Sequence, residues 1–275
     1  MTRRRSLIIL PVGVVFLAAG FSLFWLWRVE NPIPTTFYAS GSKQTDELVI
    51  FLPGIGDDMA VFERAGFIDL LHGSPRSADA LVIESDMGYF WQGSLPERVY
   101  QDILVPFHER GYKTFILVGI SLGGYGALWI NHEYGEWIAA TVLLAPLLGR
   151  ESIVERIRGA GGIASWRAQL EHEPGPEERV WIWIDGMLGQ GSAEIQSLIL
   201  GFGYRDKYLK TGELLAGSIP DSHVFRRDGG HKWVTWRPLW AEITKSDSWT
   251  TLGKNKEGVD SVGIEPEPEQ EATRQ

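Results

Sequence analysis

The stretch that most constrains this chain is the run Thr114 to Gly119 (TFILVG) together with the glycine-rich bend at its end. The run is short, apolar and rich in branched residues. It meets Gly119-Ile120-Ser121-Leu122-Gly123-Gly124, and a helical pattern continues from Leu122 to Tyr134. A buried strand that turns into a helix within two residues leaves little room at the bend. Small residues on both sides of Ser121 relieve that crowding, and glycine supplies it best. Such a strand–turn–helix unit belongs to a layered architecture in which a parallel sheet is covered by helices.

The rest of the chain repeats the pattern. Apolar runs at Leu48 to Leu52, Ala80 to Ile83, Ala140 to Ala145, Ser197 to Gly201 and His223 to Arg226 read as further strands. Helical spacing appears over Met59 to Leu71, Leu95 to Arg110 and about Lys232 to Thr244, with Ser94 a candidate N-cap. The fold class predicted is α/β, a mostly parallel sheet with helices on both faces, spanning residues 47–245. Residues 148–196 break the rhythm and mix helical segments with Gly159, Gly161, Gly162 and Pro174-Gly175-Pro176. They read as an inserted helical cap. Within it, Val180 to Leu188 (VWIWIDGML) is either a helix packed on the body or a wall contacting an acyl chain.

The two ends differ from this body. Arg3, Arg4 and Arg5 precede an uncharged, 21-residue apolar run from Leu7 to Trp27. At 1.5 Å per residue that run crosses a bilayer core of roughly 30 Å. Trp25 and Trp27 fall where interfacial aromatics belong, and the basic flank predicts a cytoplasmic N-terminus with the body on the other side. Residues 1–30 are thus read as a transmembrane anchor, with a cleaved signal sequence and secretion as the alternative. The bulky Phe24-Trp25-Leu26-Trp27 speaks against a cleavage site. Residues 31–46, with Pro32, Pro34 and Gly41, read as a linker. Residues 246–275 read as a polar, acidic tail ending Glu265-Pro266-Glu267-Pro268-Glu269, disordered from about Lys254.

A net charge of -9 argues against nucleic acid as a partner. The absence of cysteine excludes disulfides, thiolate ligands and a thiol nucleophile. No phosphate loop, dinucleotide fingerprint or metal-spaced cluster occurs, so no cofactor or metal is expected.

Gly119-Ile120-Ser121-Leu122-Gly123 fits G-x-S-x-G between strand and helix, and from about Asp46 to Thr244 the chain resembles the α/β-hydrolase superfamily of serine hydrolases. That resemblance implies Ser121 as nucleophile and the backbone amide of Leu122 as one oxyanion-hole donor. The second donor comes from the loop after the first core strand. Here that loop reads Pro53-Gly54-Ile55-Gly56 where the family often has His-Gly, and the matching amide is that of Ile55. The neighbouring Asp57-Asp58 read as caps of the next helix. The family's base lies in a Gly-His loop near the end, which matches Gly230-His231. Its acid follows the next-to-last strand, which matches Asp206 in Gly203-Tyr204-Arg205-Asp206, with Asp221 and Asp228 as rivals. Glu84, Asp86 and Trp91 are candidates for the pocket mouth or ordinary loop residues.

The reaction so implied is cleavage of a carboxylic ester or thioester of an apolar acyl substrate through an acyl-enzyme on Ser121. Two alternatives stay open on the sequence. One is an acyltransferase using the same three residues. The other is a non-catalytic binding protein on the same fold.

Overall fold

The computed structural model describes residues 29–41, 45–76, 78–189 and 197–253. Its frame is a seven-stranded sheet in the order β1-β3-β2-β4-β5-β6-β7. The strands are β1 (Thr35–Tyr38), β2 (Glu47–Leu52), β3 (Asp79–Ile83), β4 (Thr114–Ile120), β5 (Ile138–Leu144), β6 (Leu198–Gly203) and β7 (Val224–Arg227). All neighbours pair in parallel except β1, which runs antiparallel to β3 at one edge.

Alternation along the strands divides the core into two layers. Leu48, Ile50 and Leu52 of β2, with Phe115 and Leu117 of β4, face one layer. Val49 and Phe51, with Ile116, Val118 and Ile120, face the other. The second layer is closed by α1 (Val61–Arg64), α2 (Phe67–His72), α11 (Trp233–Ile243) and α12 (Asp247–Thr251). Four of the chain's twelve tryptophans pack there. Phe51, Phe62 and Phe67 pack against Trp233 and Trp240, and Trp240 meets the ring of Trp249 edge-on.

The first layer is closed by α3 (Met87–Gln92), by α4 (Leu95–Val99) running through a π-helical turn (Tyr100–Leu104) into α5 (Val105–Glu109), and by α6 (Leu122–Glu133). Between β5 and β6 the described residues form α7 (Glu151–Gly159), α8 (Ile163–Arg167) and α9 (Pro176–Gly189); α10 (Leu209–Ala216) follows β6. Helix α9 lies on α6, where Trp183 stacks on Trp129 and His132 and packs beside Tyr125.

Several expectations need correction. Residues 31–46 are not simply a linker, because Thr35–Tyr38 adds a strand to the sheet edge. Its side chains alternate between exposed and half-buried, so the short TTFY segment carries no apolar run to read. The run Met59 to Leu71 is two helices, broken at Gly66, whose φ of 74° lies in the left-handed region. The tail from residue 246 begins with an ordered helix. Ser246 Oγ caps it by accepting from Trp249 N, and Trp249 is fully buried. Ser94 does not cap: its Oγ is buried without a hydrogen-bond partner. His223 lies in a 3₁₀ turn before β7 rather than in the strand. The apolar run Leu7 to Trp27 and the tail from Lys254 lie outside the described residues; among the described residues no helix is long and apolar enough to cross a membrane.

Candidate active site

The C-terminal ends of β2 and β4 flank the point where successive connections leave the sheet in opposite directions, the usual crevice for ligands in open α/β sheets. Ser121 sits there, between β4 and α6. Its φ of 54° and ψ of -114° are strained for a residue with a side chain. The strain is held by packing on both sides. A methyl group on Gly119 would fall 2.3 Å from the Gly123 carbonyl oxygen, and one on Gly123 would fall 2.1 Å from that of Leu52. The bend is also tied to β5 and the segment after it, since Ser121 N donates to Leu144 O at 3.0 Å and Leu147 N donates to Ser121 O at 2.9 Å.

Asp206 and His231 hang from loops after β6 and β7. The loops are stitched together: Tyr204 N donates to Arg227 O and Arg205 N to Gly229 O, each at 2.9 Å. Gly203 and Gly229 make this approach possible, because a Cβ on Gly203 would sit 2.2 Å from the Gly229 carbonyl oxygen. The result is a continuous chain of polar contacts. His231 Nε2 lies 2.9 Å from Ser121 Oγ. His231 Nδ1 lies 3.0 Å from both carboxylate oxygens of Asp206. Ser121 and Asp206 are buried. Asp206 Oδ1 also accepts from Tyr208 N at 2.8 Å, which fixes the carboxylate. The rings of Tyr208 and Trp236 meet the imidazole edge-on at 5.0 and 4.9 Å and fix its plane. With the proton assigned to Nδ1, the imidazole donates to Asp206 and its Nε2 is free to accept from the serine hydroxyl.

The two rival aspartates and the chain's other five histidines lie away from this contact chain. Asp228 pairs with Arg205 at 2.7 Å on the surface, and Asp221 opens the 3₁₀ turn. His108 contacts Tyr112 O, His172 contacts Glu173 O, His223 contacts Leu198 O, and His132 stacks on Trp183. His72 ends α2, with its Nε2 buried and without a partner. Among the described residues, no group of His, Asp and Glu is arranged to hold a metal ion.

The amide of Leu122 belongs to the first turn of α6, where backbone N–H groups have no partner within the helix and the helix dipole is positive. The loop carrying Ile55 lies alongside, for a Cβ on Gly54 would be 3.5 Å from the Ser121 Cβ. The two aspartates after it part company. Asp58 accepts the amides of Ala60 and Val61 and pairs with Arg64. Asp57 instead accepts from Trp233 Nε1 at 3.3 Å, joining the Ile55 loop to the helix that follows His231. Burial, aided by the charge of Asp58, raises the Asp57 pKa. The sequence offered no sign of this contact, because its partner is 176 residues away.

A cavity of about 260 Å³ opens beside Leu122. Phe90, Trp91, Leu122, Tyr125, Leu147 and Pro176 line it, together with the charged Glu177. Trp91 is therefore a pocket residue; Glu84 and Asp86 are not among its lining. The segment Val180 to Leu188 packs on the body through Val180, Trp181 and Trp183, while the first turn of the same helix supplies Pro176 and Glu177 to the pocket. Burial raises the Tyr125 phenol pKa, so at neutral pH its hydroxyl stays protonated.

No protein-family model matches the chain, and no curated protein matches it. Among solved structures, a ferulic acid esterase superposes with a TM-score of 0.52 at 14% identity, over 81% of this chain and 90% of the other. The chain has the α/β-hydrolase fold. A monoacylglycerol lipase of Paleococcus ferrophilus is similar at a TM-score of 0.47 and 13% identity, over 77% of this chain and 98% of the other. An S-formylglutathione hydrolase of Staphylococcus aureus is similar at 0.47 and 14%, over 72% and 79%. Within the α/β-hydrolase fold, Ser121 stands at the strand-to-helix elbow, and Asp206 and His231 follow in chain order.

Proposed function

We propose that the chain is a serine hydrolase that cleaves a carboxylic ester or thioester of an apolar acyl compound through an acyl-enzyme on Ser121. The observation that carries this reading is the unbroken contact chain from Ser121 Oγ through His231 to Asp206. His231 Nε2 takes the serine proton as Oγ attacks the carbonyl carbon. Asp206 holds the Nδ1 tautomer and offsets the charge of the imidazolium. The amides of Leu122 and Ile55 receive the oxyanion, which is worth several kcal/mol of barrier in sites of this kind. His231 then returns the proton to the leaving group, and water, activated by the same imidazole, releases the acid.

The apolar substrate class is supported by the lining of the cavity beside Leu122. Its size fits a compact acyl or aryl group rather than a whole lipid. Residues 1–30 are proposed to anchor the enzyme in a membrane, with the catalytic body on the non-cytoplasmic side. The test is labelling by a fluorophosphonate probe together with turnover of a panel of acyl esters and thioesters. Labelling and turnover in the parent, both lost in Ser121→Ala, support the reading. A folded parent that neither labels nor turns over any ester defeats it.

A further inference from the structure

Among the described residues, five large apolar side chains are strongly exposed: Phe37, Ile55, Trp91, Tyr204 and Val234. Phe37 lies on the edge strand beside Phe107. The other four share one edge of the sheet. Ile55 follows β2, Trp91 is in the helix after β3, Tyr204 directly follows β6, and Val234 is in the first turn of α11 after β7. They are 62%, 72%, 53% and 79% exposed, and this is the edge that holds Ser121, Asp206 and His231. Exposed apolar groups scattered over a surface need no explanation, but these four all lie where the strands end on the Ser121 side, and Trp91 also lines the cavity.

The path of the chain supplies an independent observation. The first described residues lie on this same edge. Glu30 N donates to the Tyr89 hydroxyl at 3.0 Å, and that hydroxyl donates to Glu30 O at 3.1 Å. Tyr89 is two residues from Trp91. Glu84 N, just past β3, donates to Pro34 O, and β1 then runs away from the mouth, with Thr35 opposite Ile83. Only Arg28 separates Val29 from Trp27, where the apolar run ends. An anchor over residues 1–30, as proposed above, is therefore joined to the body at this edge.

We propose that the active-site mouth faces the bilayer in which the chain's own N-terminus is anchored, and that the enzyme draws its apolar ester from that lipid layer. This rests on the anchor and hydrolase readings above. Ile55, Trp91, Tyr204 and Val234 enter the interfacial zone, where Trp and Tyr are favoured. The ester then passes from lipid into the cavity beside Leu122 without crossing bulk water.

The full-length chain reconstituted in phosphatidylcholine–phosphatidylglycerol vesicles tests this. The parent has no cysteine, so a single thiol-reactive fluorophore reports one place. Val234→Cys reports the mouth edge, and Glu136→Cys, exposed just before β5, reports the opposite edge. Spin-labelled lipid is expected to quench the first probe several-fold more than the second. Equal quenching, or stronger quenching at 136, in chains that float with the vesicles overturns the orientation. Chains that do not float overturn it through the anchor instead. The variant Val234→Glu is then assayed on hexadecyl acetate in the vesicles and on p-nitrophenyl acetate in water, two esters of one compact acyl group. A fall of at least ten-fold on the first, with the second unchanged within two-fold, supports extraction from lipid. An equal effect on both substrates overturns it. If the parent hydrolyses neither ester while the quenching asymmetry holds, the hydrolase reading has failed, and with it the substrate half of this proposal.

Discussion

Gly123 packs so tightly on Leu52 that a methyl group on its Cα would fall 2.1 Å from the Leu52 carbonyl oxygen. That contact joins the first turn of α6 to the strand that leads into the Ile55 loop. It sets the spacing between the two amides assigned to the oxyanion. Gly123→Ala must therefore push the two segments apart. The variant is expected to lose at least 10²-fold in kcat with a smaller change in KM, because the displaced donors act on the transition state. It should also melt several degrees lower. Steady-state kinetics and a thermal melt check both. A variant with parental kcat would show that the elbow tolerates the added carbon.

The Ser121–His231–Asp206 chain predicts a graded series. Ser121→Ala should abolish fluorophosphonate labelling and reduce kcat by about 10⁵–10⁶-fold, leaving the melting temperature near that of the parent. Asp206→Asn should cost about 10⁴-fold, since an amide in place of the carboxylate no longer favours the Nδ1–H tautomer. Because Asp206 also accepts from Tyr208 N, Asp206→Ala should add a loss of stability that Asp206→Asn avoids. Comparing the melts of the two variants separates these roles.

The pocket predicts selectivity. Leu147→Trp fills part of the 260 Å³ cavity beside Leu122. It should shift preference toward shorter acyl chains, with about 10–200-fold in kcat/KM per excluded step of chain length. A chain-length series of p-nitrophenyl esters reads this directly. An unchanged profile would place the acyl group elsewhere.

Asp57 carries a pH signature. Burial raises its pKa, so the folded state favours the protonated acid. The stabilisation of that neutral form is complete below the ordinary carboxylate pKa and is lost as pH rises through the raised one. At neutral pH the charged group is therefore a local burden. Asp57→Asn keeps an oxygen to accept from Trp233 and should raise the melting temperature at pH 7–8. The gain should shrink as pH falls toward 4. A gain that is constant with pH would mean that the charge at position 57 is not what matters.

Arg76 is buried, pairs with Glu47 through Nε and Nη2, and donates through Nη1 to the carbonyls of Trp249 and Leu252. It pins α12 under the sheet. Arg76→Ala strands a half-buried carboxylate and two carbonyls, and should cost about 3 kcal/mol. Urea unfolding measures it.

How much the sequence revealed depends on how local each constraint is. The five inner strands β2 to β6 are visible because burial on both faces demands apolar runs. The elbow is visible because its crowding is met by glycines within two residues of Ser121. The edge strand β1 needs no such run, and TTFY passes for linker. Helix α12 is too short for periodicity, and its order comes from a buried Trp249 held by Arg76 from far along the chain. The same is true of Asp57, whose partner Trp233 no spacing rule connects to it. The serine, acid and base that the structure brings together are distant in sequence, yet each follows a strand end. That placement, rather than any contact, is what made them readable.

The loops bearing Asp206 and His231 are laced by backbone hydrogen bonds and gripped by Tyr208 and Trp236, whereas the cavity beside Leu122 is walled by α3, α6, the segment after β5 and the start of α9. Leu122 and Leu147 join the two regions, since both line the cavity and Leu147 N also donates to Ser121 O. Under the proposed function, substitutions at Phe90, Trp91 or Pro176 alter which acyl group fits without touching the loops that hold the acid and the base.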